Sequence, residues 1–77
     1  MTRLTPISGK KLSKIVEQLG FKLVHQKGSH KRYVHDDGRK TTIPTHGNEE
    51  IGIGLLIEIL GQIKIPREEF LKLLKKR

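Results

Sequence analysis

The sequence predicts an α+β fold in which one helix is followed by three strands and a second helix, with an additional short helix at the C-terminal end. Three observations predict it. Apolar residues recur with the roughly 3.6-residue period of a helix over residues 9–19. Turn residues at Gly28-Ser29 and Asp37-Gly38 separate three extended segments, which predicts a three-stranded antiparallel sheet. A dense apolar run after residue 50, followed by Pro66, predicts the two remaining helices.

The first helix is predicted over residues 9–19. Ser8 is a favourable N-cap because its hydroxyl can accept a hydrogen bond from a backbone N–H of the first turn. Gly20 supplies the C-terminal stop, since glycine readily adopts the left-handed conformation that ends many helices. The apolar stripe consists of Leu12, Ile15, Val16 and Leu19, whereas the residues that fall away from it are Lys10, Lys11 and Lys14.

The three strands are predicted at Phe21–Lys27, His30–Asp36 and Arg39–Ile43, and Pro44 ends the third. The loop between the second and third strands leaves their register open. A two-residue loop at Asp37-Gly38 would place His30 opposite Thr45, whereas a three-residue loop that includes Asp36 and a bulge shifts the pairing by one residue. The face of the sheet that carries His30 therefore stays undecided from the sequence.

The second helix is predicted to begin at an Asn48 cap, where the glutamates at 49 and 50 would lie near the positive end of the helix dipole. Glycines at 52 and 54 each cost roughly 1 kcal/mol relative to alanine in a helix. The regular part is therefore expected from Leu55 to about Gly61. Pro66 suits the first position of the third helix.

Apolar residues around the second helix cover more than one helical face. A chain of this size can bury few elements on all sides, so we expect a partner surface here, either another protein or a second copy. The residues are Ile51, Ile53, Leu55, Leu56, Ile57, Ile59, Leu60, Ile63 and Ile65.

Length and charge narrow the class of protein. The 77 residues predict a single domain, 1–77, and the net charge of +8 is concentrated in residues 1–47, which hold ten basic and three acidic side chains. This distribution indicates a polyanionic partner.

The chain contains no cysteine, no apolar run of the roughly 18 residues that a membrane span needs, and no signal peptide, which predicts a cytoplasmic protein that does not bind membranes.

One histidine stands in a context suited to phosphodiester chemistry. His30 follows a turn glycine and is flanked by Lys27, Lys31 and Arg32. Imidazole exchanges protons near neutral pH, and the cations, together with backbone amides around Gly28 and Ser29, would hold a phosphate. The alternative is an exposed strand histidine without a catalytic role. His46 is the candidate for a second proton carrier, with a role in positioning its loop as the alternative.

Metal-dependent chemistry has little support in the sequence. The carboxylates occur as adjacent pairs at 36–37 and 49–50, which turn and helix-start preferences already explain. No metal and no cofactor is predicted.

Five segments together resemble a known family, the HicA toxins, which are the ribonuclease half of HicA–HicB toxin–antitoxin pairs. They occur in the family's order with short spacings and cover almost the whole chain. These segments are Pro6-Ile7-Ser8-Gly9-Lys10-Lys11-Leu12, Leu19-Gly20-Phe21, Gln26-Lys27-Gly28-Ser29-His30, Thr42-Ile43-Pro44-Thr45-His46 and Glu68-Glu69-Phe70-Leu71.

The resemblance implies a fold like a double-stranded-RNA-binding domain and the activity of a type II toxin that cleaves mRNA without a metal. It implies that the catalytic histidine is His30 and that a HicB-like antitoxin neutralises the protein, in a complex that can contain more than one toxin copy. The residues expected to bind RNA are Lys10, Lys11, Lys27, Gly28, Ser29, Lys31 and Arg32.

Two other functions fit the same residues. A non-catalytic module could bind double-stranded RNA by shape through the basic first half of the chain. A small interaction protein would not bind nucleic acid in a salt-sensitive manner at all.

Overall fold

The computed structural model describes residues 4–47 and 49–75. The elements are β1 (Ile7–Ser8), α1 (Gly9–Gln18), β2 (Lys22–Lys27), β3 (His30–Val34), β4 (Lys40–Pro44), β5 (Glu50–Ile51), α2 (Ile53–Ile63) and α3 (Arg67–Lys75). The strands β2, β3 and β4 form an antiparallel sheet in that order. The predicted α-β-β-β-α order, the three-stranded sheet and the additional C-terminal helix are therefore confirmed, and they match the double-stranded-RNA-binding-domain-like fold.

Helix α1 forms as its sequence predicts. The Ser8 hydroxyl accepts a hydrogen bond from the backbone N–H of Lys11 at 3.1 Å, which caps the first turn. The helix ends at Gln18, and Gly20 follows with a φ of 99°. Leu12 and Val16 are completely buried, so the apolar stripe of α1 packs into the core.

The loop between β3 and β4 has the three-residue form. The backbone N–H of His35 donates to the carbonyl of Arg39 at 2.8 Å, which closes a loop of Asp36, Asp37 and Gly38. Val34 consequently pairs with Lys40, and His30 pairs with Pro44. The structure thus confirms the shifted register and excludes the pairing of His30 with Thr45.

The two faces of the sheet differ in burial. Tyr33, Thr41 and Ile43 point towards the helices and are buried. Because side chains alternate along a strand, their neighbours lie on the opposite side, which we call the open face. Pairing across the strands places nine residues on it: Lys22, His25, Lys27, His30, Arg32, Val34, Lys40, Thr42 and Pro44.

The start of the second helix differs from the prediction. Glu50 and Ile51 form β5, which pairs with β1, so the two glutamates are not in the first turn of a helix. The predicted cap, Asn48, lies outside the described residues. Helix α2 begins at Ile53, with Gly52 as its N-cap, and ends at Ile63. It therefore starts after the predicted cap, but it is longer at both ends than the regular part predicted from Leu55 to about Gly61. The burial of Leu56, Ile59, Leu60 and Ile63 explains this difference, because it outweighs the helix cost of the glycines.

Polar contacts fix α2 to the edge of the sheet. The Thr41 hydroxyl donates to Oε1 of Gln62 at 2.6 Å, and the Arg39 guanidinium donates to the carbonyl of Ile63 at 2.6 Å.

Helix α3 begins at Arg67, one residue after the predicted start, and the Pro66 carbonyl accepts the N–H of Phe70 at 3.0 Å. The Phe70 ring is fully buried, which anchors α3 to the core.

Tyr33 provides a pH-dependent contribution to stability. Its ring is fully buried in the core, and its hydroxyl donates to Oε2 of Glu17 at 2.8 Å. Burial, followed by this hydrogen bond to a carboxylate, raises the pKa of Tyr33 above its usual value of 10.0. The fold therefore favours the neutral phenol, and this contribution is complete below pH 10 and is lost as the pH rises through the folded-state pKa.

We expect the free energy of unfolding to fall more steeply above pH 10 in the native protein than in the Tyr33→Phe variant, which has no phenol to ionise. Chemical denaturation across this range measures the difference. Tyr33 is the one tyrosine and there is no tryptophan, so the near-ultraviolet tyrosinate band reports its ionisation directly. Parallel pH profiles for the two proteins would contradict the assignment.

Candidate functional site

The open face concentrates positive charge around the central strand. His30 and Arg32 project from β3, with Lys27 paired to His30 and His25 paired to Arg32 on β2. Directly opposite residues in an antiparallel pair have their Cα atoms about 4.5–5.5 Å apart. None of the open-face residues is acidic. The surface therefore offers several cations and two imidazoles to an anion that lies across the strands.

His30 is exposed at the start of the central strand, and its position is set by two backbone connections. The Gly28-Ser29 turn joins β2 to β3 with positive φ only at Gly28 (59°), the pattern of a type II′ hairpin turn. The Ser29 carbonyl accepts hydrogen bonds from the Thr45 backbone N–H at 2.6 Å and from the Thr45 hydroxyl at 3.1 Å. The turn before His30 is thereby tied to the loop after β4.

A close helix contact supports the same end of the sheet. Gly9, the first residue of α1, lies against the carbonyl of Pro44, the residue paired with His30. A Cβ atom at Gly9 would overlap that carbonyl oxygen and would also lie 3.0 Å from Cα of Thr45. Glycine is therefore required where α1 meets the end of β4, because only a bare backbone permits this approach.

The comparison with protein families identifies the family to which the chain belongs. The family model for the HicA toxin of bacterial toxin–antitoxin systems matches residues 9–65. The chain belongs to the HicA toxin family. The match spans α1, the whole sheet and α2, and it includes every open-face residue. Among curated proteins, none matches the chain.

Not all the residues predicted to bind RNA lie together in this HicA family member. Lys27, Gly28, Ser29 and Arg32 surround His30, but Lys31 points to the helix side of the sheet and is half-buried. Lys10 and Lys11, with Lys14, line a separate groove of about 450 Å³ between α1 and α3, over an apolar floor of Ile15, Leu73 and Leu74. The structure therefore presents two cationic surfaces.

The remaining histidines have different surroundings. His46 is exposed directly after Thr45, at the same end of the sheet as His30. His35 packs edge-on against Phe21 with ring centroids 5.1 Å apart, and its Nδ1 lies 3.1 Å from Oδ1 of Asp37. The Arg39 guanidinium hydrogen-bonds to Asp37 and lowers the pKa of that carboxyl. His35 thus contributes to packing around the loop.

Sequence reasoning missed several side chains that share the face of His30. The sequence pattern singles out His30 and His46 but not His25, which lies next to Arg32 on the open face. The position of His25 was predictable from the alternation of side chains along a strand. A two-residue Gly28-Ser29 turn places Lys27 opposite His30, and His25, two residues before Lys27, then lies on the same face. Thr42 and Lys40 could not be placed in this way, since their position depends on which of the two β3–β4 registers forms.

A groove extends the open face towards α2. It has a volume of about 510 Å³ and is lined by Arg32, Thr42 and Lys40 from the sheet and by Leu55, Glu58 and Gln62 from the helix, among others. Its size falls within the range of small-ligand sites.

In the described ranges 4–47 and 49–75, no group of three or more His, Asp or Glu side chains is arranged to hold a metal ion. No helix in this part of the protein has the length and hydrophobicity to cross a membrane.

Proposed function

We propose that this protein is a ribonuclease toxin that cleaves mRNA on the open face of its sheet, with His30 as the catalytic residue. One observation carries the proposal: an exposed imidazole stands on the central strand, between Lys27 and Arg32, on a face without carboxylates. Membership of the HicA toxin family supports the biological role. The proposed substrate is a single RNA strand that lies across β3.

Each group on the open face has a chemical task. Cleavage of RNA through its 2′-hydroxyl removes a proton from that oxygen, forms a bond from it to phosphorus, and releases the 5′-oxygen, which takes up a proton. His30 acts as general base or general acid in this sequence, a contribution of typically 10²–10⁴-fold. Lys27 and Arg32 bind the phosphate and stabilise the extra charge of the phosphorane.

The second proton transfer needs another carrier, because one imidazole performs one transfer at a time. His46 is the proposed carrier, since its loop is tied to the turn before His30 through Thr45 and Ser29. We propose that RNA also contacts the remaining predicted lysines, Lys10, Lys11 and Lys31. These are outer contacts, since none of the three lies on the open face.

Neutralisation by a protein partner is also part of the proposal. His30 and the cations beside it are solvent-accessible, so a HicB-like antitoxin that covers the open face would exclude RNA. We propose that the protein acts in the cytoplasm, where mRNA is present, and that its complex with the antitoxin contains more than one toxin copy. No resident metal or cofactor is part of the proposed reaction.

Purified protein incubated with mRNA in the presence of a chelator tests the proposal. We expect fragments whose 5′ pieces end in a 2′,3′-cyclic phosphate, as attack by the 2′-hydroxyl requires. Intact RNA that is nevertheless bound in a salt-sensitive manner would support the non-catalytic double-stranded-RNA-binding module instead. Intact RNA without binding would exclude both functions.

The orientation of two adjacent cations gives a further test. Arg32 lies on the open face, whereas Lys31 points to the helix side. Arg32→Ala should weaken RNA binding and reduce the slope of log affinity against log salt by about one phosphate contact. Lys31→Ala, the charge-matched control, should change both quantities less. Equal losses in the two variants, measured by fluorescence anisotropy at several salt concentrations, would contradict this orientation.

A further inference from the structure

Helix α2 exposes an apolar surface next to a third groove, distinct from the two described above. Ile53 and Ile57 are 43 % and 49 % exposed, and their spacing of four residues places them on the same side of the helix. A groove of about 320 Å³ adjoins this side. Its lining includes Ile57, Leu60, Gly61, Lys64, Ile65 and Arg67, and we call it the α2 groove.

The shape of the α2 groove admits another backbone. A Cβ atom built on Gly61 meets nothing within 4 Å, so the middle of the groove is open where a side chain would otherwise fill it. From Ile53 to Ile63 the helix rises about 15 Å, at ~1.5 Å per residue. This length matches about three turns of a second helix laid along α2.

The charge of the α2 groove is one-sided. Its lining contains two cations, Lys64 and Arg67, and no carboxylate. Within the described residues, Asp37 is the carboxylate that lies within 4 Å of basic side chains, those of His35 and Arg39, so neither Lys64 nor Arg67 is paired with a carboxylate. A complementary occupant therefore combines apolar side chains with carboxylates.

We propose that the α2 groove docks an acidic amphipathic helix of a partner protein. The apolar side chains of that helix cover Ile57 and Leu60, its backbone approaches over Gly61, and its carboxylates pair with Lys64 and Arg67. Helix-in-groove recognition of this type uses apolar anchors spaced three and four residues apart. The proposal does not depend on RNA cleavage, because none of the open-face residues lines this groove.

Other occupants fit the α2 groove less well. A second copy bound about a two-fold axis would bring Lys64 and Arg67 towards their own counterparts, on a chain whose net charge is +8. RNA would cover the apolar residues without the aromatic side chains on which bases stack, since none of the lining residues is aromatic. A membrane surface is disfavoured by the same lack of aromatic anchors.

Titration of the full chain with two synthetic peptides tests the proposal. One peptide is a three-turn helix with leucines on one face and glutamates elsewhere, and the other has the same composition in scrambled order. Amide chemical shifts should change in α2 and at Ile65 and Arg67 for the amphipathic peptide, with an affinity about tenfold above that of the scrambled one.

Substitutions separate specific docking from general attraction to a basic protein. Gly61→Leu fills the groove and Arg67→Glu reverses a charge, so each should weaken binding about tenfold while the unfolding temperature is maintained. Arg67→Glu should also improve binding of a peptide with lysines in place of the glutamates. Lys10→Glu, in the groove between α1 and α3, is the matched control and should leave the affinity unchanged.

Three results would overturn the proposal. The first is equal affinity for the amphipathic and scrambled peptides. The second is a concentration-dependent dimer that Gly61→Leu abolishes, which would assign the groove to a second copy. The third is a set of shifts in the α2 groove caused by RNA or by anionic phospholipid vesicles in place of the acidic peptide.

Discussion

Replacing His30 with alanine will abolish RNA cleavage and leave RNA binding almost unchanged. The side chain is exposed on the open face, and the Gly28-Ser29 turn and the Thr45 hydrogen bonds that fix its backbone do not involve the imidazole. Its removal therefore costs little stability but eliminates a proton transfer, for which we expect a loss of about 10²–10⁴-fold in rate. Single-turnover cleavage and anisotropy measurements on the same preparation separate chemistry from binding.

Val34→Ala is the matched control for this substitution. Val34 lies on the same strand and the same face as His30 but carries no titratable group. The control should cleave RNA at close to the native rate. A His30→Ala variant that cleaves as fast as the native protein would eliminate His30 as the catalytic residue, whatever its effect on binding.

Gly9→Ala is expected to have the largest effect on stability. The added methyl group would overlap the Pro44 carbonyl oxygen and approach Cα of Thr45, and both partners are backbone atoms that cannot rotate away. Such overpacking costs about 1–3 kcal/mol. In a domain of this size, each kcal/mol lowers the Tm by about 4–8 °C. Cleavage should fall as well, because the displaced segment pairs with His30 and holds the turn before it.

Gly61→Ala provides the contrasting control. Gly61 lies within α2, is exposed, and has open space where the Cβ would be placed. Alanine at this position should raise the free energy of unfolding by roughly 0.5–1 kcal/mol, because it restores helix propensity without a clash. Thermal unfolding of the two variants should therefore shift in opposite directions. A neutral Gly9→Ala variant would show that α1 does not meet β4 as closely as the structure indicates.

The parts of the fold that were predictable depend on local chemistry. The Ser8 cap, the apolar stripe of α1 and the glycine turns each act within a few residues, so the sequence contains all the relevant information. The register of β3 against β4 could be narrowed only to two alternatives, because two-residue and three-residue loops are both compatible with Asp36-Asp37-Gly38.

The parts that were not predictable depend on contacts between distant residues. The pairing of β1 with β5 joins two-residue segments far apart in the chain, and it replaces the predicted start of the second helix. Helix α2 tolerates Gly54 because the burial of other side chains compensates. Likewise, Lys10 and Lys11 are separated from the open face because α1 packs on the opposite side of the sheet, where its Glu17 accepts a hydrogen bond from the buried Tyr33, and no local pattern indicates this.

In the proposed complex, RNA lies on the open face with a phosphate against His30. Amide chemical-shift mapping of the His30→Ala variant with a single-stranded RNA tests this placement most directly. The variant retains the binding surface and leaves the RNA intact during the measurement. We expect the largest shifts in β2, β3 and β4 at the residues around Lys27, Arg32 and Thr42. Shifts confined to the groove between α1 and α3, around Lys10 and Lys11, with an unperturbed sheet would contradict this placement.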